Sequence, residues 1–235
     1  MANCSLIAEF HRAAKFFASL ALAFVLLAGV VPAADVSPQV RRLADAVDHR
    51  YNTLQSLVTS FTETYSGAGI SRTESGTLWL KRPGKMRWDY TRPQPKLFLS
   101  DGKTAWFYVP GEAQARRAPV KKLDDLRSPL RYLLGRTKLE KEFSGLSLAP
   151  DVAPQDPGDV VLRGVPRGME DRVSEVLLEI GPEHQIRRLV IQQTDGSVTE
   201  FGFSDQKENV SIPDQRFRFQ PPPGVETVEA TDLSP

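Results

Sequence analysis

The sequence predicts a mainly β protein, and three observations carry that prediction. The stretch from Gly76 to Val109 is dense in strand formers, holds all three Trp residues, and is cut by Arg82-Pro83-Gly84, Arg92-Pro93 and Asp101-Gly102. Turn residues at that spacing divide it into four consecutive antiparallel strands. Asp101-Gly102 and Asp195-Gly196 are hairpin dipeptides between apolar runs. From residue 143 onward the pattern returns to strands, at roughly 143–149, 159–164, 171–180, 186–194 and 197–204.

The chain opens on a targeting segment. Arg12 and Lys15 form a short basic region, and Phe16 to Val31 runs apolar without a charge. Val31-Pro32-Ala33 offers the small residues a signal peptidase reads, which places cleavage after Ala33. The apolar run is shorter than the roughly 20 residues of a spanning helix, so an uncleaved anchor ranks second. Leu27-Ala28-Gly29 is followed by Val30, where a bacterial lipoprotein signal needs Cys. The one Cys, Cys4, lies inside the presequence, so the exported chain has no thiol to carry a lipid or form a disulfide. Residues 34–235 then read as a single domain in the periplasm.

Removing Arg12, Lys15 and Glu9 from the 30 basic and 29 acidic residues leaves 28 of each. A neutral domain argues against nucleic acid as a partner. A length of about 200 residues is enough for one all-β domain with a real core.

Ser37 is a helix N-cap and Pro38 a first helical residue. Val40, Leu43, Val47, Tyr51 and Leu54 recur at helical spacing, with Arg41, Arg42, Asp45 and Asp48 elsewhere on the wheel. The spacing predicts an amphipathic helix over about 38–56. A strand from Leu57 to Tyr65, a turn at Gly67-Ala68-Gly69 and a strand from Arg72 to Arg82 follow. Met86, Trp88 and Tyr90 share one face of the next strand, with Arg87 and Asp89 on the other. Strands 96–100 and 104–109 are apolar on both faces, so alternation does not say which points inward. Gln114 to Val120 forms one more strand. Ser128-Pro129 repeats the helix-start device, with Leu130, Leu133 and Leu134 as a short apolar face and Gly135 as a C-terminal cap. Phe217 and Phe219 read as a last strand before Pro221-Pro222-Pro223-Gly224, and the tail from Thr227 as loose.

A search for catalytic chemistry returns little. His49 falls on the polar side of the first helix, and His184 in a turn; neither has a zinc-type spacing. There is no nucleophile elbow and no phosphate-binding Gly loop. Asp124-Asp125 and Glu170-Asp171 read as solvated turns. No catalytic residue, metal site or cofactor is expected. Arg82 stands apart, at a strand end beside the most apolar part of the chain. An exposed edge charge is the commoner fate of such an Arg. The alternative is a donor fork reaching the backbone of a helix laid over the sheet.

Several segments together resemble a known family. Gly76-Thr-Leu-Trp-Leu-Lys-Arg-Pro83, Met86-Arg-Trp-Asp-Tyr90, Ser100-Asp-Gly-Lys-Thr104, Trp106-Phe-Tyr108 and Gln114 resemble the bacterial outer-membrane lipoprotein carrier proteins of the LolA family. Ser128-Pro-Leu-Arg-Tyr-Leu-Leu-Gly135 is similar to the family's second lid helix, and Phe217 to Val225 to its C-terminal segment. The resemblance implies an open, antiparallel, β-barrel-like half-barrel sheet with a helical lid over an apolar cavity, the lid helices being about 38–56 and 129–135. It implies a monomeric, non-enzymatic periplasmic chaperone. Its cargo would be acylated lipoproteins, taken from an inner-membrane ABC release complex of the LolCDE type and passed to an outer-membrane receptor of the LolB type or its equivalent. Arg82 matches the family's lid-holding Arg. Leu43, Val47, Leu78, Leu80, Met86, Trp88, Tyr90, Leu130, Leu133 and Leu134 are the expected acyl-chain contacts. Met86 stands where the family usually has Phe, a thioether of adaptable shape in place of a ring. An alternative keeps the fold and makes the protein a periplasmic lipid-binding or lipoprotein-sensing protein; the lack of a second domain argues against a sensor. A hydrolase is the third reading.

Overall fold

The structure is a computed structural model that describes residues 36–120, 138–230 and Leu233. The expected signal segment 1–33, Asp124-Asp125 and the expected helix 129–135 with Leu130, Leu133 and Leu134 lie outside the described residues.

The first element is helix α1, Pro38–Thr53. Ser37 starts it as the sequence predicts: its Oγ accepts the Val40 N–H at 3.3 Å. The helix stops three residues short of the expected 56. Leu54 turns to extended backbone, the Gln55 N–H donates to Asn209 Oδ1 at 2.9 Å, and Ser56 already belongs to the first strand. Sheet pairing therefore takes the residues that periodicity assigned to the helix.

The strands are β1 (Ser56–Gly67), β2 (Ile70–Lys81), β3 (Lys85–Arg92), β4 (Lys96–Ser100), β5 (Thr104–Tyr108), β6 (Gln114–Pro119), β7 (Phe143–Leu148), β8 (Val160–Pro166), β9 (Val173–Ile180), β10 (Ile186–Gln193), β11 (Val198–Glu208) and β12 (Glu226–Glu229). A short helix α2, Leu139–Glu142, precedes β7. Among the described residues these twelve strands form one sheet in the order β12-β6-β5-β4-β3-β2-β1-β11-β10-β9-β8-β7. Its two edges, β12 and β7, do not pair with each other, so the sheet is open. Neighbours are antiparallel except β12 and β6, which run parallel.

Turn chemistry sets the hairpins. At Asp101-Gly102 the Asp101 carboxylate accepts the N–H groups of Lys103 and Thr104, each at 2.8 Å, and Gly102 supplies a positive φ. Gly76 answers a different need. It sits at an irregularity in the β2–β3 register, opposite both Phe61 and Tyr90, and a Cβ there would run into the Asp89 carbonyl oxygen.

The sheet buries side chains on both faces where β2 to β5 lie. One face carries Leu57, Phe61, Leu78, Leu80, Met86, Trp88, Tyr90, Phe98 and Phe107, in a single core cluster with the buried stripe of α1. The opposite face is covered by the segment after β11. A 3-10 turn at Asp214–Phe217 puts Asp214 between Lys81 and Lys85, at 2.7 and 2.6 Å. Hydrogen bonds from these two ammonium groups hold the Asp214 carboxyl down at about 2. Arg87 Nη1 donates to the Arg216 carbonyl at 3.0 Å, and the Arg216 guanidinium lies 4.1 Å from the Trp79 ring centre. Phe219 packs on Trp106 and Tyr108, with ring centres 5.3 and 5.4 Å away. This strap explains why β4 and β5 are apolar on both sides.

Two sequence expectations are corrected here. Phe217 and Phe219 belong to no strand: they anchor the strap through their side chains, which removes the need for main-chain pairing. The segment at Thr227 is not loose. Thr227 pairs with Ala115 in β12, the Glu226 N–H donates to the Ala113 carbonyl, and the Ala230 N–H to the Arg117 carbonyl. An edge strand's free main-chain groups recruited a polar segment with no apolar alternation.

Candidate functional site: the apolar face beneath α1

The site is built across neighbouring strands in register. Leu80, Met86 and Ser100 stand side by side on β2, β3 and β4; so do Leu78, Trp88, Phe98 and Phe107, one step along. Phe61 packs edge-on against Trp88 and Tyr90, with centroids 4.5 and 4.9 Å away. Phe201 extends the aromatic patch to β11, 5.8 Å from Trp88. Gly76, without a side chain, leaves the space in which Phe61 and Tyr90 meet across β2.

Over this face lies α1. The structure brings Leu78, Leu80, Met86, Trp88, Tyr90 and Val47 into one core cluster, and Leu43 packs half-buried at its margin. The face ends in a polar cluster at the far end of β3 from Arg82. Tyr90 Oη donates to Glu63 Oε2 at 2.8 Å, and Lys96 lies 4.2 Å from the Tyr90 ring centre while pairing with Glu74 at 2.7 Å. Burial pushes the Glu63 carboxyl up, the Tyr90 hydrogen bond opposing it, and burial beside Glu63 pushes the Tyr90 hydroxyl up as well.

Arg82 reaches the helix. Its Nη2 donates to the Tyr51 main-chain carbonyl at 2.7 Å, and its own N–H donates to the Gln55 carbonyl at 2.9 Å. Leu54, Leu57 and Leu80 line a shallow cleft beside it. The Tyr51 carbonyl is in the last turn of α1, where carbonyls lack helical partners and a cation is favourable.

Three helix residues complete the attachment: Tyr51, which the sequence reading places on the apolar stripe, and Arg50 and Asp48, which it does not. Tyr51 is almost fully buried, and its Oη accepts the Ile186 N–H at 2.9 Å. Arg50 donates to the Glu183 carbonyl at 2.8 Å and pairs with Glu208 at 2.6 Å. Asp48 is not on the solvent side of the wheel, as its charge suggests, but 8% exposed on the buried stripe. Its carboxylate accepts the Leu139 N–H, at 3.0 and 3.2 Å, at the start of α2. Desolvation pushes it up to about 6 against that hydrogen bond. The signal was present: Asp48 follows Val40 and Ala44 at helical spacing, so only its polarity placed it outside. Arg41 adds an outer tie to Glu140 at 2.7 Å.

His49 is exposed and His184 sits in its turn with a positive φ. Among the described residues no group of three His, Cys, Asp or Glu side chains is placed to hold a metal ion. The arrangement is a helix held over an apolar floor by a few polar ties, most of them in its C-terminal half and one, from Arg41, near its start.

A sequence model of the family described as "Outer membrane lipoprotein carrier protein LolA" matches residues 52–220. An outer-membrane lipoprotein carrier protein of Nitrosospira multiformis is 33% identical over 162 residues, covering 68% of this chain and 74% of that protein. Its counterpart in Alkalilimnicola ehrlichii is 31% identical over 219 residues, covering 89% and 95%. Among solved structures, the lipoprotein LppX of Mycobacterium tuberculosis superposes with a TM-score of 0.51 at 14% identity, covering 75% of this chain and 100% of that one, a likeness of fold. The family match spans β1 to the strap, including Arg82 and the whole aromatic floor, and on that ground the chain belongs to the LolA family of outer-membrane lipoprotein carrier proteins.

Proposed function

We propose that this protein is a periplasmic carrier of acylated lipoproteins, and that α1 is the lid of its acyl-chain site. The observation that carries the reading is the pairing of an extended apolar floor with a helix tethered mainly at its end. A hydrophobic face that size would be costly if left open to water, and α1 covers it. Displacing α1 would expose Leu78, Leu80, Met86, Trp88 and Phe98 together, on a surface long enough to lie along acyl chains.

The energetics favour a carrier of this kind. Each buried methylene contributes about 0.8 kcal/mol, so an acylated anchor leaves a bilayer slowly unless a protein replaces the bilayer's apolar contacts. Release at the far membrane requires that the loaded state be only modestly favoured. A lid that repacks its own apolar stripe on the floor supplies the opposing term: closure competes with cargo. Arg82 and Tyr51 act as the catch of that lid. The presequence, cleaved after Ala33, leaves residues 34–235 as the working domain, and residues 129–135 add a second lid segment contributing Leu130, Leu133 and Leu134. Cargo arrives from an inner-membrane ABC release complex and passes to an outer-membrane receptor, with no catalytic step in the protein itself.

The test is displacement of an apolar fluorescent probe from the purified protein by a triacylated lipopeptide, with the deacylated peptide as control. Displacement by the acylated form alone is expected. Equal effects of both peptides, or no probe binding at all, would end the proposal.

A further inference from the structure

The floor beneath α1 contains one buried polar side-chain group that has no partner among the described residues. Trp88 is 2% exposed, and its indole Nε1 is buried with no hydrogen-bond partner among the described residues. The other polar side chains on this face are provided for. Tyr90 donates to Glu63, Thr59 Oγ1 donates to the Ser204 carbonyl at 2.8 Å, and Ser100 Oγ accepts the Gly102 N–H at 3.1 Å. The groups packed on Trp88 are the rings of Phe61, Tyr90 and Phe201, which are weaker acceptors than a carbonyl oxygen. Leaving a buried N–H unpaired is costly, and folded proteins rarely do it. Phe in that position would be a smaller aromatic ring with no N–H to satisfy.

We propose that the Trp88 indole N–H is a donor kept for an ester carbonyl of the carried lipid anchor, so that the floor reads the acyl linkage as well as the chains. The inference rests on the carrier reading above. Acyl chains reach the floor still attached to their linkage, and an ester carbonyl accepts hydrogen bonds but donates none. In the closed protein the N–H is penalised; in the loaded protein the penalty is relieved. Trp88 thereby favours the loaded state, where the Leu and Met side chains around it are indifferent to the kind of chain they touch. Ether-linked chains of equal length offer the same apolar surface and no carbonyl.

The experiment compares a lipopeptide carrying two ester-linked chains with its ether-linked analogue. Binding is measured by probe displacement on the wild type and on Trp88→Phe, and the indole N–H resonances of Trp79, Trp88 and Trp106 are followed in 15N-labelled protein. The wild type is expected to prefer the ester form by about fivefold to tenfold, the worth of one net hydrogen bond. Trp88→Phe should lose that preference, binding the ester and ether forms within twofold of each other whatever its absolute affinity. The Trp88 resonance should shift downfield with the ester ligand only, assigned from Trp79→Phe and Trp106→Phe if Trp88→Phe does not fold. Wild-type affinities within twofold of each other, or a Trp88 resonance that responds equally to both ligands, would overturn the proposal while leaving the carrier reading intact. Failure of the wild type to bind either lipopeptide would overturn both.

Discussion

Arg82 and Tyr51 are joined across the boundary between sheet and helix, the guanidinium Nη2 donating to the Tyr51 carbonyl at 2.7 Å. Tyr51 is also held further along the same sheet, where its Oη accepts the Ile186 N–H at the start of β10. One helix residue is thus fixed through its main chain to Arg82, the residue that follows β2, and through its side chain to the start of β10. The C-terminal end of α1 is the natural place for a catch, because its carbonyls are short of partners and its dipole favours a cation.

Arg82→Leu removes the main-chain tie and leaves the apolar stripe of α1 in place. The fold is expected to persist with a loss of about 1.5–3 kcal/mol, the worth of a hydrogen bond to a charged donor. Amide exchange in the last two turns of α1 should accelerate while exchange in β9 and β10 stays slow. Unchanged exchange in α1 would show that Arg82 does not hold the helix.

Asp48 predicts a pH dependence. Its carboxyl is raised from 3.8 to about 6 in the folded protein, chiefly by desolvation, with Asp45 and Glu142 adding to the rise and Lys138 opposing it. Between those values the folded state holds a proton that the unfolded state has released, so stability declines as pH rises through the window. Below about pH 4 both states are protonated and the contribution is level. Asp48→Asn keeps an acceptor for the Leu139 N–H and removes the buried charge. Denaturant midpoints at pH 4 and pH 7 should converge in the variant, with a gain at pH 7 on the order of 1 kcal/mol after allowance for partial screening. The same slope in wild type and variant would contradict this.

Gly76→Ala tests the close approach of β2 and β3. The added methyl meets the Asp89 carbonyl, which is main chain and not free to rotate away. A loss of at least about 2 kcal/mol is expected in chemical denaturation, from strain and a displaced register. An unaffected midpoint would mean that the strands separate there at little cost.

Phe217→Ala tests the strap on the opposite face. Phe217 is fully buried, so a loss of about 3 kcal/mol is expected. Apolar-probe binding should survive at denaturant concentrations below the new transition, because the strap and the floor beneath α1 lie on different faces. Parallel loss of stability and probe binding would show that the two faces are not independent.

The sequence was most legible where chemistry is local. Ser37-Pro38 starts α1, Asp101-Gly102 makes its hairpin, and Met86, Trp88 and Tyr90 share a face because strands alternate. What escaped depends on partners distant in the chain. The polarity of Asp48 concealed a buried position satisfied by Leu139, 91 residues away. The two-sided burial of β4 and β5 needs the strap. β12 is recruited by main-chain groups that carry no side-chain signature. Arg82 is misleading for the same reason: whether an Arg at a strand end is a surface charge or a tie depends on what lies above it, and the local sequence favours the surface charge, a reading that the family resemblance reverses.

The most direct test of the central claim is release of a lipoprotein from inner-membrane vesicles by the purified protein. In the presence of ATP and the release complex, the account predicts that acylated lipoprotein appears in the soluble fraction as a complex with this protein, and that it passes on to outer membranes. Lipoprotein that stays with the vesicles at every concentration of the protein, under conditions where a known carrier extracts it, would contradict the account.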